Sequence, residues 1–423
     1  MRFLIICFVF FSFFGACVSK RNRFTDKPTK SISNPDNDLL QVNTVLFNNS
    51  ETSTTVYLNI DNENLIYKRP DTTVNFYAEI KIKYILFNEN NIKKIIDSLS
   101  FKFVDKEDEQ IKNKQIPLSF KLNTQNGNNY LLDLVVTDVN KKTNYNQAIT
   151  INRKNHLSRQ NFLTTSNSKI SYKNTFLALQ EVNVTLNTPI IKTATVDCFF
   201  TEFPIALPPF SNKFIDELKY KPDSSFVISI SNSNFDIIMP ENGFYHLKFG
   251  DDNNEGLTLY TFDEAFPGIN NSKEMVLATR YIMTKQEYET CITTNDYKAS
   301  IDKFWLSIGG SNERAKELLK RYYNRVKESN KLYTSYNKGW KTDRGMIFII
   351  FGKPTQIYKN SRGETWVYGL ENNPSTFRFT FYKTQNPFSN NDYVLERSQY
   401  YKEQWYLAVD YWRQGRVYNV FER

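Results

Sequence analysis

Apolar and polar residues alternate along many short segments between residues 39 and 270. Recurrence of apolar side chains at every second position is typical of strands with one buried face. The pattern predicts strands over residues 55–60, 74–84, 130–136, 147–151, 182–186, 193–200, 226–231, 243–249 and 257–262. We therefore expect an immunoglobulin-like β-sandwich domain over residues 39–155 and a second β-rich domain over residues 156–270. The two regions could also belong to one larger sandwich.

From residue 272 the sequence changes to the character of helices. Thr284 and Glu287 have the spacing of an N-terminal capping box. A helix is predicted over residues 297–308, with its stop at Gly309-Gly310, and a second helix begins near Ser311 or Asn312. A closing helix is predicted over residues 396–412.

A polar stretch followed by an apolar run lies between these predicted helices. Residues 339–345 have the composition of a tight turn, and residues 346–351 are almost all apolar, which predicts a strand buried on both faces. Further strands are predicted over residues 364–368 and 377–382. Residues 271–423 are thus expected to form an α+β domain. The predicted fold class is a multidomain protein, with an Ig-like β-sandwich region or regions followed by this α+β domain.

The N-terminus has the pattern of a lipoprotein signal peptide over residues 1–16. Arg2 supplies a positive charge, residues 3–14 form a short apolar run, and Phe14-Gly15-Ala16-Cys17 resembles a bacterial lipobox. We expect cleavage before Cys17, acylation of Cys17 with diacylglycerol and palmitate, and a flexible tether over residues 17–38. The alternative is an ordinary secretory signal in which Cys17 has no special role. No acidic cluster follows Cys17, which favours a body that faces the periplasm from the outer membrane.

The charge of the chain is positive but dispersed. The formal net charge is +9, and the basic residues are spread along the sequence rather than gathered in a stripe. Phosphate recognition needs clustered Lys and Arg residues, so nucleic acid is not an expected partner. An aromatic content of 15% favours β-rich folding over disorder.

The His and Cys residues do not have metal-binding spacing. His156 and His246 are far apart in sequence, and no C-x-x-C pair occurs, so neither a metal site nor a cofactor is expected. After removal of the signal peptide and acylation of Cys17, the remaining thiols are Cys198 and Cys291. An oxidising periplasm would permit a disulfide between these two residues.

Several separated blocks in the last third of the chain resemble the GWxTD-domain proteins. Gly339, Trp340, Thr342 and Asp343 match the signature that gives the family its name. The similarity continues through Arg344-Gly345, the apolar run, Glu364-Thr365-Trp366 and residues 412–418. The resemblance implies a bacterial envelope protein, often a lipoprotein with a β-rich N-terminal region. It implies a location and an architecture, and no particular reaction.

The polar residues of the signature permit two interpretations. In one, Asp343 and Glu364 act as an acid–base pair on a glycan, and Trp340 and Trp366 stack on the sugar. In the other, Thr342 and Asp343 bond local backbone amides, Arg344 or Arg362 pairs with the carboxylates, and both indoles fill the core. The residues concerned are Gly339, Trp340, Thr342, Asp343, Arg344, Gly345, Arg362, Glu364 and Trp366.

No nucleophile with a matching base, phosphate loop or dinucleotide motif accompanies the signature. The expected function is therefore a non-catalytic outer-membrane lipoprotein, which acts as a scaffold or accessory subunit in secretion, surface assembly or motility. Its expected partners are the membrane, through the lipid anchor, and other envelope proteins. The alternative is a protein that binds or cleaves an envelope glycan through the signature turn.

Overall fold

The computed structural model of the protein describes residues 29–32, 40, 42–69, 71, 75–89, 91–107, 114–187, 191–200, 203–212, 221–249, 255–360, 362–370 and 373–419. The predicted signal peptide, Cys17 and most of the predicted tether lie outside these residues. One part of the tether is regular, because strand β1 (Thr29–Ile32) pairs antiparallel with a strand of the C-terminal domain. The prediction of a flexible tether is wrong for these residues, since they complete the hydrogen bonding of a sheet edge.

Two antiparallel sheets pack face to face in the first β region. One sheet has the order β2-β3-β6 and the other β5-β4-β7-β8. Their facing side chains form a continuous apolar core, in which Val56, Ile82 and Leu134 are fully buried. The strands are β2 (Val42–Ser50), β3 (Ser53–Asp61), β4 (Tyr77–Asn88), β5 (Asn91–Lys106), β6 (Gln115–Asn123), β7 (Asn129–Asp138) and β8 (Thr143–Asn152).

The second β region has its own pair of sheets and its own core, which includes Val184, Val196 and Leu259. The sheet orders are β10-β9-β12-β15 and β11-β17-β16-β13-β14. The strands are β9 (Phe162–Ser166), β10 (Lys169–Ile170), β11 (Thr175–Leu177), β12 (Glu181–Leu186), β13 (Thr193–Phe199), β14 (Ser224–Ser229), β15 (Asn234–Ile238), β16 (Gly243–Lys248) and β17 (Leu257–Phe262).

The C-terminal region packs helices against one antiparallel sheet. The sheet order is β1-β18-β19-β20-β21, so the strand from the N-terminal segment forms one edge. The helices are α1 (Ser272–Thr279), α2 (Lys285–Ile292), α3 (Tyr297–Gly309), α4 (Asn312–Tyr333), α5 (Asp343–Phe351) and α6 (Lys402–Arg413). The strands that join β1 are β18 (Gln356–Asn360), β19 (Gly363–Tyr368), β20 (Phe377–Lys383) and β21 (Tyr393–Leu395). The predicted multidomain β plus α+β architecture is confirmed.

Helix caps appear where the sequence predicts them. Thr284 and Glu287 form a reciprocal capping box at the start of α2. Gly310 ends α3 in the left-handed conformation, with φ of 71°. Ser311 caps α4 by accepting a hydrogen bond from the Arg314 amide.

The apolar run after the signature is a helix, so the predicted strand over residues 346–351 is wrong. Thr342 caps helix α5. Asp343 occupies the first turn, where its carboxylate interacts favourably with the helix dipole. Every residue of α5 is buried. A helix that is surrounded by protein has no polar face, so its apolar residues carry no periodicity to distinguish it from a buried strand.

All 5 tryptophans of the sequence lie in the core of the C-terminal region. Trp340, Trp366 and Trp412 are fully buried there, and Trp305 and Trp405 are nearly so. Within the described residues, no helix is both long and apolar enough to span a bilayer.

Candidate functional site

The signature begins with a 3₁₀ turn over Gly339–Lys341 that is held by side chains of other elements. The Gly339 amide donates to the Thr334 hydroxyl at 2.9 Å, and the Trp340 amide donates to Asn330 Oδ1 at 3.1 Å. The Tyr281 hydroxyl donates to the Trp340 carbonyl at 2.8 Å. Helix α4 and the residues after α1 thus satisfy the backbone groups that the turn itself leaves unpaired.

The Trp340 side chain is fully buried and is also hydrogen bonded. Its indole Nε1 donates to Glu274 Oε1 at 3.0 Å, and the same carboxylate binds Lys338 Nζ at 2.8 Å. Lys338 also reaches Asp263 at 3.1 Å. Burial acts to lower the pKa of Lys338, but Glu274 and Asp263 raise it above its ordinary value. The lysine therefore stays charged and anchors the first half of the signature.

The two glycines of the signature lie where backbones touch. A Cβ on Gly339 would lie 2.6 Å from the Ser329 carbonyl carbon, and one on Gly345 would lie 2.7 Å from the Gly339 carbonyl carbon. Thr342 links the two glycines, because its hydroxyl donates to the Gly339 carbonyl at 2.8 Å and accepts from the Gly345 amide at 3.1 Å. The spacing of glycine, threonine and glycine is thus required by the contact between the turn and helix α5.

Asp343 forms a buried, two-point ion pair with Arg397. Arg397 Nη2 lies 2.5 Å from Oδ1 and Nη1 lies 3.1 Å from Oδ2, and the Leu395 amide donates to Oδ2 at 2.8 Å. Burial raises the pKa of Asp343 above its ordinary value, while Arg397 and the Leu395 amide act against that rise. The predicted bonding of Asp343 to local amides is wrong, because its amide partner lies 52 residues away in sequence.

Glu364 belongs to a different ion pair. Its carboxylate lies 3.4 Å from Arg344 and 3.5 Å from Lys359, and it accepts the Trp366 indole hydrogen at 3.0 Å. Burial acts to raise the pKa of Glu364, but Lys359, Arg344 and Trp366 together hold it below its ordinary value. The predicted pairing of Arg344 with a signature carboxylate is confirmed, with Glu364 as the partner.

Aromatic rings enclose the Arg344 guanidinium. Its Cζ lies 3.8 Å from the ring centroid of Tyr393 and 5.2 Å from that of Tyr333. Its Nη2 also donates to the Asn391 carbonyl at 2.9 Å. The planar cation thus links helix α5 to strand β19 and to the loop before β21.

The structure does not assemble the predicted acid–base pair as one site. Asp343 and Glu364 are each bound by a different arginine, and Arg362 lies exposed at the turn between β18 and β19. Sequence reasoning missed Arg397, Glu274 and Asn330, which hold the signature from distant elements. The sequence did indicate that buried charges of the signature need partners elsewhere in the chain. It did not indicate which residues those partners are.

Cys198 and Cys291 are free thiols buried in two different hydrophobic clusters, so the disulfide predicted as an option is not formed. Burial raises the pKa of both thiols. Among the described residues, no group of three or more His, Cys, Asp or Glu side chains is arranged to hold a metal ion.

Comparison with known proteins identifies the C-terminal region. The family model of the GWxTD domain matches residues 243–414. No curated protein sequence matches the chain. Among solved structures, Bacteroides uniformis β-glucuronidase matches at 11% identity with a TM-score of 0.17, over 26% of this chain and 13% of that one. A complex of Bacteroides uniformis β-glucuronidase 2 matches at 9% identity with a TM-score of 0.17, over the same shares.

The chain therefore spans only 13% of the length of these solved structures, and likeness at this level carries no argument about activity. The family match includes helices α1 to α6, strands β16 to β21 and the whole signature. Residues 243–414 of this chain are a GWxTD domain.

Proposed function

We propose that the protein is a non-catalytic scaffold or accessory subunit of a bacterial envelope assembly, held at the outer membrane by acyl chains on Cys17. Secretion, surface assembly and motility are the processes to which such a subunit would belong. The observation that carries the proposal is the use of the signature charges in internal ion pairs, since Asp343 binds Arg397 and Glu364 binds Arg344.

The burial of the signature supports a structural role over glycan chemistry. A ring that stacks on a sugar needs one free face, whereas Trp340 and Trp366 are 0% exposed. A general acid or base must reach the substrate, whereas Asp343 and Glu364 are 8% and 7% exposed. The residues are better suited to hold the domain together than to contact a ligand.

The architecture also suits a scaffold. Two β regions with separate cores precede the helices of the C-terminal region, and such modules offer long surfaces for protein contacts. The short apolar run and the Phe14-Gly15-Ala16-Cys17 sequence support attachment by acyl chains.

The proposal is tested by crosslinking in intact cells, followed by purification through a C-terminal tag and mass spectrometry. We expect a reproducible set of membrane or periplasmic proteins with the parent chain. A Cys17→Ser variant should leave the membrane fraction and lose those partners, because the acyl chains can no longer be attached. An Arg378→Ala variant, altered at an exposed residue of β20, serves as the control for substitution alone.

Two results would contradict the scaffold. One is a lone monomer after gentle solubilisation of the membranes. The other is recovery of the chain chiefly with glycan, in an amount that Asp343→Asn and Trp366→Ala reduce. The second result would support the alternative of a glycan-binding protein.

A further inference from the structure

We propose that the GWxTD domain contains a docking site for a proline-containing peptide, built around Arg397 and the Lys341 carbonyl. In this chain the occupant is residues 203–212 of the second β region, with the sequence Phe-Pro-Ile-Ala-Leu-Pro-Pro-Phe-Ser-Asn. We call these residues the docking segment. They lie outside the range of the family match, which begins at residue 243.

Main-chain atoms of the docking segment form most of its polar contacts with the domain. The Ala206 amide donates to the Lys341 carbonyl at 2.9 Å. Arg397 Nη2 donates to the Leu207 carbonyl at 3.2 Å, and the Ser398 amide donates to the Pro209 carbonyl at 3.0 Å. Recognition of this kind depends on the path of the backbone more than on particular side chains.

Gln399 extends the same contact. Its Nε2 donates to the Phe210 carbonyl at 2.6 Å and to Asn212 Oδ1 at 3.0 Å. Arg397, Ser398 and Gln399 are consecutive, so one short stretch before helix α6 binds the segment from Leu207 to Asn212. This stretch and the signature turn form the polar lining of the docking site.

The prolines suit this mode of binding. Pro204, Pro208 and Pro209 have no backbone N–H, so these three positions present a carbonyl acceptor without a donor that would need a partner. Proline also fixes φ at these three positions, which restricts the free segment and lowers the entropy lost on docking. The domain supplies the matching donors from Arg397, Ser398 and Gln399.

Apolar side chains of the segment enter the GWxTD domain. Ala206 is 8% exposed and belongs to the hydrophobic core of that domain. The Phe210 ring centroid lies 5.4 Å from that of Tyr406 on α6, and the Phe203 centroid lies 5.1 Å from that of Tyr336. Aromatic contacts at both ends and a buried alanine between them fix the register of the segment.

Asp343 acts as a positioning residue for this site. It holds two nitrogens of Arg397, so the guanidinium has one orientation, and Nη2 then points at the Leu207 carbonyl. The Lys341 carbonyl is fixed by the 3₁₀ turn of the signature. The signature therefore does more than fill a core, because two of its positions set the geometry of the docking site.

The chain connection that carries the segment is longer than its strands require. Strands β13 and β14 are antiparallel neighbours, with Cys198 opposite Ser224. Such neighbours are commonly joined by roughly two to five residues. Here the connection covers residues 200–223, and its described central part lies on another domain. Long connections of this kind are usually functional.

The first test replaces residues 203–212 of the full chain with a Gly/Ser sequence of equal length. A labelled synthetic peptide with the sequence of the docking segment is then added, and binding is followed by fluorescence anisotropy. We expect saturable binding to the replaced chain and no binding to the parent chain, in which the site is filled. Arg397→Ala in the replaced chain should weaken binding by about tenfold to a hundredfold, and Arg378→Ala should leave it unchanged.

The second test keeps the native segment and measures hydrogen exchange in the full chain. Arg397→Ala should raise exchange at the Ala206 amide by about tenfold or more, because the segment opens locally. The amides of β19 should keep their protection, which separates release of the segment from unfolding of the domain. Arg378→Ala is again the matched control.

Three outcomes would overturn the proposal. A replaced chain that retains β19 protection but does not bind the peptide would show that no docking site exists. Equal binding to the parent and replaced chains would show that the segment does not occupy the site. Loss of protection throughout the domain in Arg397→Ala would assign the Asp343–Arg397 pair to the core alone. None of these outcomes depends on whether the protein is an envelope scaffold.

Discussion

At the scale of single residues, the largest side chains of the signature act through burial combined with one hydrogen bond each. Trp340 binds Glu274 and Trp366 binds Glu364 through the indole nitrogen. A buried indole without such a partner would leave a donor unsatisfied, at a cost of about 1–3 kcal/mol. Both tryptophans therefore determine the position of a charged neighbour as well as the packing.

Trp340→Ala is expected to lower the free energy of unfolding by about 3–5 kcal/mol, because a fully buried ring is lost and a cavity remains. Trp340→Phe should cost less, since it keeps most of the apolar volume and loses the bond to Glu274. Urea unfolding of the purified chain measures both values. Equal stability of the parent and Trp340→Ala would mean that the ring is solvent-exposed and would reopen the glycan-binding interpretation.

His246 is expected to make the protein sensitive to acid. Burial and the nearby Arg159 lower the pKa of His246 to about 4, from an ordinary value of 6.5. Between these two pH values the unfolded chain binds more protons than the folded chain, so stability is lost as the pH falls from 6.5 to 4. The loss is on the order of 3 kcal/mol for complete titration. His246→Gln should flatten this part of the stability curve in urea titrations.

Asp392 has the opposite dependence and must be controlled. Burial raises the pKa of Asp392 to about 6. For this carboxyl the folded chain binds the proton more strongly, so its contribution to stability is lost as the pH rises toward 6. The His246 prediction therefore concerns the difference between His246→Gln and the parent at each pH. It is contradicted if that difference is constant from about pH 4 to about pH 7.

At the scale of elements, helix α5 is the clearest case of a secondary structure that this sequence alone did not predict. Many exposed or half-buried elements were predicted at nearly the observed bounds, such as α3 and β20, because one face of each is polar. Helix α5 is buried on all sides, so its apolar run carried no period. Strands β2, β5 and β6 were not predicted, although β5 is a long edge strand with several exposed apolar side chains.

The same limit applies to the candidate site. The signature residues were found from the sequence, and the pairing of Arg344 with a carboxylate was foreseen. Arg397 and residues 203–212 could not be found, because the contacts between them join positions about 190 residues apart. Local patterns determine caps and turns, whereas such contacts depend on how complete domains pack.

Gly345→Ala tests the backbone contact between α5 and the signature turn. In an open helix this change would stabilise by about 1 kcal/mol. Here the new Cβ would lie 2.7 Å from the Gly339 carbonyl carbon and 3.1 Å from Trp340 Cα. Because backbone atoms cannot rotate away, we expect a loss of about 1–3 kcal/mol in urea unfolding.

Gly310→Ala is the control for this prediction. No atom lies within 4 Å of a Cβ placed at Gly310, and its φ of 71° gives only the conformational cost of a left-handed alanine. That cost is about 1–2 kcal/mol. If Gly345→Ala stabilised the protein, the close approach of α5 to the turn would be refuted.

At the scale of the whole molecule, an aromatic cluster joins the second β region to the helices and sheet of the C-terminal region. Phe199, Phe244, Tyr260 and Phe262 come from strands β13, β16 and β17, and Phe388 comes from the loop between β20 and β21. The Tyr260 hydroxyl also donates to the Phe388 carbonyl. The family match starts at residue 243, so it includes the two strands that carry most of this cluster.

Phe388→Ala is expected to lower stability by about 3–5 kcal/mol and to uncouple the unfolding of the two regions, because Phe388 links their cores. Scanning calorimetry should show one unfolding transition for the parent chain and two separate transitions for Phe388→Ala. Phe235→Ala is the matched control, since Phe235 is also 5% exposed but lies within the core of the second β region. Division of the transition in both variants would mean that the cluster does not couple the regions.

The placement of all 5 tryptophans in the GWxTD domain has an optical consequence. Intrinsic indole emission from this protein comes from one domain, while the tyrosines that occur throughout the chain report on every region. Selective excitation of indole therefore follows the GWxTD domain alone in the intact chain. Circular dichroism of the same sample follows all the strands. Unfolding curves that differ between the two signals would resolve the domains without labels, truncation or added chromophores.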